Sequence, residues 1–381
     1  MRLLHVIRTL NPENGGPPDS VRMFAAAHRR AGNEVEVATL DNPEAPYSKM
    51  PEGEIHAFGP CKANYYYQPK LEQWLRSNCQ RFDGVIVNGI WQYNALAARR
   101  AVAGRRPYVV FAHGMLDPYF RRRYPLKHLK KLAYWTLCER KNLNLAEAVC
   151  FTSEEEKRIA GEGFPFRRFK GVVVPYGTIG PSGDPAALKQ AFRDLCPSAA
   201  AKPYLLFLGR IHPKKGCDLL LGAFARVAPP HLDLVMAGPD ETSWQVDLEA
   251  QATRLGIADR IHWTGVLRGD AKWGAFYGAE AFILPSHQEN FGITVADALA
   301  CGTIPLISDK VNIAGDVAQD GAAFVETDTV EGTAKLIERF NALSGEERTA
   351  MRKRARACYE RRYSLANAAQ AVYKALGIVP S

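Results

Sequence analysis

Short apolar runs alternate with longer amphipathic stretches from one end of the chain to the other. Residues 3–7, 34–40, 84–90, 108–112, 148–152 and 172–174 read as strands, and runs such as V-I-V and V-V-V are apolar at every position, the pattern of strands buried on both faces. Between them, helical patterns span 20–31, 68–78, 93–103, 126–142 and 153–160. Gly32 stands where a helix C-cap belongs, and Ser153-x-x-Glu156 has the form of a capping box. Alternating strand and helix predicts a parallel, doubly wound sheet. The alternation breaks at 175–185 (PYGTIGPSGDP), a turn-rich connector, and resumes at 204–209 (YLLFLG). Strands then follow over 232–237, 260–264, 281–285, 304–308 and 322–325, with helices near 217–228, 244–255, 292–300 and 330–343. The expected fold is α/β, two doubly wound, Rossmann-like domains of similar size facing across a cleft, with a boundary near residue 180.

Composition is that of an ordinary globular protein, 47% hydrophobic and 23% charged, which excludes disordered, collagen-like and coiled-coil chains. At 381 residues the chain exceeds the roughly 250–300 over which a single core usually grows. No apolar run approaches the ~18 residues of a membrane span, and residues 1–7 pass at once into polar, Gly/Pro-rich chain, so a cytoplasmic protein without anchor or leader is expected. The eight cysteines include no C-x-x-C, which favours reduced thiols, and the nine histidines show no H-E-x-x-H, so no metal site is expected. Charge is more telling. Of the net +9, residues 1–180 hold 27 bases against 17 acids, whereas 181–381 hold 22 against 23. Between Arg99 and Lys131 there are ten bases and a single acid, Asp117, so an anionic partner is expected on the first half.

Ligands of parallel α/β sheets bind outside the carboxyl ends of the strands, so the loops there carry the chemistry. Residues 11–20 (NPENGGPPDS) follow the first strand. Gly15 and Gly16 would let backbone amides approach a phosphate at a helix N-terminus, although a plain Gly/Pro turn fits equally, and neither G-x-G-x-x-G nor G-x-x-x-x-G-K-[ST] is present. Residues 210–216 (RIHPKKG) put Arg210, Lys214 and Lys215 just before a helix, where a guanidinium and an ammonium suit a departing diphosphate. Residues 286–302 (SHQENFGITVADALACG) place Glu289 in a loop, Gly292 and Ile293 at a helix start and Asp297 in its second turn. Two carboxylates suited to sugar and ribose hydroxyls, or a capped surface helix with a solvated acid, both fit that pattern.

The N-terminal Gly-Gly, G-R-x-x-x-x-K-G and S-x-x-E-N-F-G-x-x-x-x-[DE]-A-x-x-C-G-x-x-P, in this order and spacing, resemble the family 4 glycosyltransferases of GT-B fold. The likeness spans essentially the whole chain, and the stretch with E-x7-E is its most specific part. The resemblance implies a retaining, metal-independent transfer of a hexose from a nucleotide diphosphate sugar, with no cofactor. It implies an acceptor-binding domain over 1–180, joined by a crossover helix about 363–381, and a nucleotide-sugar-binding domain over 181–362. By position, Gly16 faces the donor diphosphate, Arg210 and Lys215 bind it, Glu289 contacts the donor sugar, and Asn290, Phe291, Gly292, Ile293 and Thr294 line the same site with backbone. Asp297 falls where the family usually has Glu and would hold the ribose. His113, at the end of 108–112, matches the histidine beside the reacting sugar, with Glu289, Lys215 and Arg210 as its catalytic companions.

The expected partners are a UDP- or GDP-linked sugar and a glycan or polyprenyl-diphosphate-linked acceptor, in bacterial polysaccharide or glycolipid assembly. The bases Arg121, Arg122, Arg123, Lys127, Lys130 and Lys131 are candidates for the acceptor or for an anionic membrane surface at the inner face of the cell membrane. Over 126–137, Leu126, Leu129, Ala133 and Trp135 or Thr136 recur at helical spacing, which fits an interfacial amphipathic helix and a core-facing one alike. Nucleic acid is not an expected partner, since no binding module is present. Two other classes fit the loops: a nucleotide-sugar epimerase or synthase acting on a small soluble sugar phosphate, and a non-catalytic nucleotide-sugar-binding protein.

Overall fold

The computed structural model describes residues 1–14, 16–49, 53–61, 64–118, 125–165 and 167–378. The chain divides into two compact units, Met1–Gly177 with Leu365–Ser381, and Thr178–Ser364. In the first, β1 (Arg2–Ile7), β2 (Glu34–Thr39), β3 (Glu54–Ala57), β4 (Gly84–Asn88), β5 (Tyr108–Phe111), β6 (Ala148–Phe151) and β7 (Gly171–Val173) form one sheet in the order β3-β2-β1-β4-β5-β6-β7. In the second, β8 (Tyr204–Leu208), β9 (Asp233–Ala237), β10 (Ile261–Gly265), β11 (Ala281–Leu284), β12 (Ile304–Ser308) and β13 (Phe324–Glu326) run β10-β9-β8-β11-β12-β13. All the ladders are parallel, and in both sheets the order reverses beside the first strand, which opens a crevice at the strands' carboxyl ends.

The continuous apolar runs become the central strands because helices cover both faces; β4, β5 and β6 are buried at every position. The edge strand β3 was not expected, since Ile55 alone among E-I-H-A carries a strand signal. Beside it, Glu36, Glu54 and His56 gather ligand-type atoms within 4.8 Å, but Arg81 already holds Glu36 Oε1 at 2.7 Å. The first helix, Gly16–Arg30, starts four residues before the expected 20–31, since Pro17 and Pro18 fit a first helical turn. One face of the first sheet is closed by Leu365–Leu376, whose Leu365, Ala368, Val372, Tyr373 and Leu376 pack on Leu3, Ile86, Val109 and Phe111.

Two helices differ from the sequence reading in ways that bear on function. The segment expected over 126–142 is Pro125–Tyr134, a π-helical turn Trp135–Glu139, and Arg140–Asn144. Trp135 and Glu139, four apart and so on one helical face, are both buried. In Glu154–Ala160, Ser153 Oγ accepts the Glu156 amide at 3.0 Å as a capping box requires. The Glu156 carboxylate instead accepts from Thr152 N at 2.6 Å and Gly114 N at 2.6 Å, which ties the loop after β5 to β6. Of the eight cysteines, Cys79, Cys150, Cys217 and Cys358 are buried, the others half-buried, and all are free thiols. Among the described residues, no helix is long and apolar enough to cross a membrane.

Candidate active site

In the second unit the chain leaves β8 through Gly209 and Arg210 into a short 3-10 turn, Pro213–Lys215. His212 caps that turn by accepting the Lys214 amide on Nδ1 at 3.1 Å. Burial, then the charges of Arg210, Lys214 and Lys215, hold His212 below its ordinary pKa, so the neutral imidazole serves as the cap. Gly216 enters the helix Cys217–Val227 at φ 66°, and a Cβ there would lie 2.2 Å from the Pro285 carbonyl oxygen. That approach lays the loop against the segment after β11, where the His287 amide donates to the Lys214 carbonyl at 2.9 Å. Lys215 Nζ consequently forms an ion pair with Glu289 Oε2, the two side chains only 15% and 19% exposed.

Glu289 is held through its backbone: its amide donates to Lys310 O at 3.1 Å and its carbonyl accepts from Asn312 N at 3.0 Å. Asn290 Oδ1 accepts from Asn312 Nδ2 at 3.4 Å. Gly292, at φ 85°, turns the chain into Ile293–Ala300, whose first amides have no intrahelical acceptor. Ile293 is exposed and Thr294 half-buried, while Phe291 is buried edge-on to Tyr363 with ring centroids 5.7 Å apart. Arg210 stands apart from this group. Its guanidinium is 55% exposed and meets Glu241 Oε2 at 3.4 Å.

Asp297, the residue expected to hold the ribose, lies inside the second unit. It is 1% exposed, its Oδ1 accepts from Thr178 Oγ1 at 2.6 Å, and its Oδ2 pairs with Lys272 Nζ at 2.7 Å. One methylene shorter than Glu, the carboxylate stays near its own helix, where a hydroxyl and an ammonium occupy both oxygens. In this arrangement both carboxylate oxygens are bonded within the same unit.

In the first unit β5 leads through Ala112 to His113, at φ 50°. His113 Nδ1 bonds the Tyr176 hydroxyl, and Nε2 lies 3.4 Å from Asn88 Oδ1. Burial pushes its pKa down to about 3, so the ring is neutral; these partners assign Nε2 as the donor and Nδ1 as the acceptor. Asn88 also lines a cavity of about 300 Å³ with Arg8, Thr9, Trp91, Met115 and Lys131. Arg8 lies 4.9 Å over the Tyr66 ring and donates to Tyr66 Oη at 2.9 Å. Lys131 lies 4.9 Å over the Trp91 ring, and burial lowers its pKa. Sequence reasoning missed Arg8, Asn88 and Trp91; the only signal for them was a place at or just past the end of an apolar strand.

Of the expected basic group, Lys130 is exposed and Lys131 belongs to this cavity. Arg121, Arg122, Arg123 and Gly15 lie outside the described residues, as does the Lys127 side chain. Gly16 opens the first helix, exposed, and a Cβ there would meet nothing within 4 Å, so nothing inside the protein requires glycine.

Residues 15–177 match the glycosyl transferase 4-like domain, and residues 189–357 match glycosyl transferases group 1. A GDP-mannose:cellobiosyl-diphosphopolyprenol alpha-mannosyltransferase of Xanthomonas oryzae pv. oryzae is 25% identical over 380 residues, which cover 95% of this chain and 93% of that one. Among solved structures, Anabaena HepE in complex with UDP and glucose superposes with a TM-score of 0.73 at 18% identity, over 99% of both chains. A glycosyltransferase from Rickettsia africae superposes with a TM-score of 0.77 at 14% identity, over 98% of this chain and 97% of that one. At these identities the structures speak for the fold, while the two domain matches, one on each unit, speak for the chemistry. The chain belongs to the family 4 glycosyltransferases of GT-B fold, and it is a hexosyltransferase.

Proposed function

We propose that the protein moves a hexose from a nucleoside diphosphate sugar to a polyprenyl-diphosphate-linked glycan, with retention of configuration and without a metal ion. The observation that carries this reading is the Lys215–Glu289 pair beyond the carboxyl ends of β8 and β11, beside the N-terminus of Ile293–Ala300. An ammonium and unpaired amides suit a diphosphate, and an adjacent carboxylate suits sugar hydroxyls. As the nucleotide departs, positive charge develops on the sugar ring and negative charge on the leaving oxygens, which Lys215 and the helix amides stabilise. Arg210 joins them by leaving Glu241, an exposed contact worth little. The acceptor hydroxyl attacks from the face the diphosphate leaves and passes its proton to a departing phosphate oxygen. Asp297, buried and bonded on both oxygens, does not suit a nucleophile. His113, kept neutral by burial, can serve a substrate only as a hydrogen-bonding group.

Arg8 and Lys131 make the first unit's cavity cationic, which suits an acceptor that carries phosphate. The name of the relative matched over 95% of this chain supports GDP-mannose as the first donor to try and a diphosphopolyprenol-linked acceptor, and a reaction at the cytoplasmic face of a membrane would go with that acceptor. The test is thermal unfolding in the presence of GDP-mannose, UDP-glucose and UDP-galactose, followed by transfer assays with excess chelator. The matching donor, at about a hundredfold over its Kd, should stabilise by roughly 2.7 kcal/mol, and chelator should leave transfer unchanged. Failure of every donor to stabilise, or loss of transfer with chelator, overturns the reading.

A further inference from the structure

Two polar side chains are buried where the first sheet is otherwise apolar. β1 and β4 run side by side, and within R-L-L-H-V-I and G-V-I-V-N the side chains of His5 and Asn88 are 0% and 2% exposed. A leucine at either place would fill a similar space without desolvating polar atoms, so the reason for an imidazole and an amide lies in what they bond.

Their bonds form a chain whose direction is set by one backbone group. Asn88 Nδ2 lies 3.1 Å from the Ile86 carbonyl oxygen, which can only accept, so the amide nitrogen faces Ile86 and Oδ1 faces His113. An amide oxygen can only accept in its turn. His113 Nε2, 3.4 Å away, therefore carries the ring proton, and Nδ1 is left to accept from the Tyr176 hydroxyl. On the other side Asn88 Nδ2 lies 3.3 Å from His5 Nδ1, which then accepts, so the His5 proton falls on Nε2. That buried N–H meets no acceptor among the described residues, and the chain of bonds is kept in spite of it.

Tyr176 cannot choose the tautomer of His113, because a hydroxyl donates or accepts with equal ease; Asn88 can. We propose that Asn88, its amide anchored by Ile86 and His5, is the positioning residue that keeps His113 in the Nε2–H form, so that the ring offers substrate a donor and serves an accepting sugar oxygen. The inference rests on the reading of His113 as a hydrogen-bonding group for the substrate. At 3.4 Å the contact between His113 and Asn88 is long, and His113 is half-buried, so a sugar oxygen can share the Nε2–H while the ring stays neutral. Asn88 also borders the cavity lined by Arg8 and Trp91, which puts the same amide beside the space a substrate enters.

The test joins spectroscopy to kinetics on the full chain. Ring-nitrogen NMR of substrate-free protein carrying nitrogen-labelled histidine, at neutral pH, should show His113 and His5 each neutral with the proton on Nε2; loss of signal in His113→Gln and His5→Asn assigns the two rings. In Asn88→Asp a carboxylate faces His5 and needs a donor, so the His5 proton should move to Nδ1. In the transfer assay, Asn88→Leu, which removes the contact that fixes the ring, should lower kcat/KM about tenfold. His5→Leu, which leaves an Asn88 N–H unpaired, should lower it about fivefold, whereas His5→Asn, which keeps an accepting oxygen near the place of Nδ1, should stay within about twofold of wild type. A wild-type His113 proton on Nδ1, a His5 proton unmoved in Asn88→Asp, or equal losses in His5→Leu and His5→Asn overturns the inference. Wild-type kcat/KM in Asn88→Leu with His113→Gln impaired refutes the positioning role alone, whereas wild-type kcat/KM in His113→Gln refutes the reading of His113 beneath it.

Discussion

Replacing Lys272 with methionine tests whether Asp297 is structural. Methionine keeps an apolar stem near the Trp273 ring, over which the ammonium lies at 4.3 Å, but leaves the buried carboxylate with only the Thr178 hydroxyl. Breaking a buried pair from one side costs about 3–5 kcal/mol. Because the Lys272 side chain is 26% exposed, the lower figure, about 3 kcal/mol, applies. At roughly 2–4 °C per kcal/mol for a unit of this size, the melting transition of Thr178–Ser364 should fall by about 6–12 °C. Adding Asp297→Asn should restore the transition to within about 1 kcal/mol of wild type, because the amide oxygen still accepts from Thr178 and no charge remains buried. Scanning calorimetry measures both, and donor KM supplies the functional readout. A ribose ligand lost at Asp297 would cost about 1.5–3 kcal/mol of donor binding, tenfold or more, whereas a structural Asp297 leaves the double variant's donor KM within about threefold. A Lys272→Met protein that melts like wild type, a double variant no better than the single, or a tenfold rise in donor KM would refute the assignment.

Lys215→Ala should lower kcat/KM about a hundredfold or more with the circular dichroism spectrum unchanged; turnover at the wild-type rate removes the diphosphate clamp. Gly216→Ala sets a Cβ against the Pro285 carbonyl at a positive φ, so the melting transition should fall by the equivalent of at least 2 kcal/mol, and an unchanged melt contradicts the close approach. Glu139, buried and accepting from Trp91 N at 3.0 Å, has its pKa raised by burial to about 7. The native state therefore holds this proton more tightly than the unfolded chain, and its stabilising contribution, complete below about pH 4.5, is lost as pH rises through 7. Glu139→Gln should then be more stable than wild type at pH 8, by up to about 3 kcal/mol, with the advantage gone near pH 4. Equal denaturation midpoints at pH 8 would contradict that sign.

The parts of the molecule that could be read from sequence are those whose cause is local. Short, β-branched apolar runs bounded by turn residues favour strands covered on both faces, so the central strands of each sheet were plain, whereas β3, one isoleucine between Glu54 and His56, was not. The helix Gly269–Gly278 was missed because three glycines and no apolar stripe hide it. Gly274 is there because the Leu188 carbonyl oxygen would lie 1.9 Å from a Cβ, a demand made by another helix, Pro185–Leu195. The loops after β8 and β11 stood out in sequence by strand-end position and residue chemistry, and the structure pairs Lys215 of one with Glu289 of the other. Asp297's partners did not show, because Thr178 lies 119 residues away and nothing near either residue marks the contact. The face of the helix after residue 124 was half legible: Leu129, Ala133 and Thr136 are all exposed, as a regular helical period groups them, whereas Trp135, about 120° round from Leu129, is buried.

The helix Leu365–Leu376 completes a sheet whose other elements all lie in Met1–Gly177. On the ribosome, the whole of Thr178–Ser364 must be made before that helix appears. At ordinary synthesis rates this takes roughly 10–40 s, during which Leu3, Ile86, Val109 and Phe111 lack their cover. The inserted unit is contiguous in the chain and is complete before the older half of the nascent protein, whose sheet stays uncovered until the closing turns of polypeptide emerge.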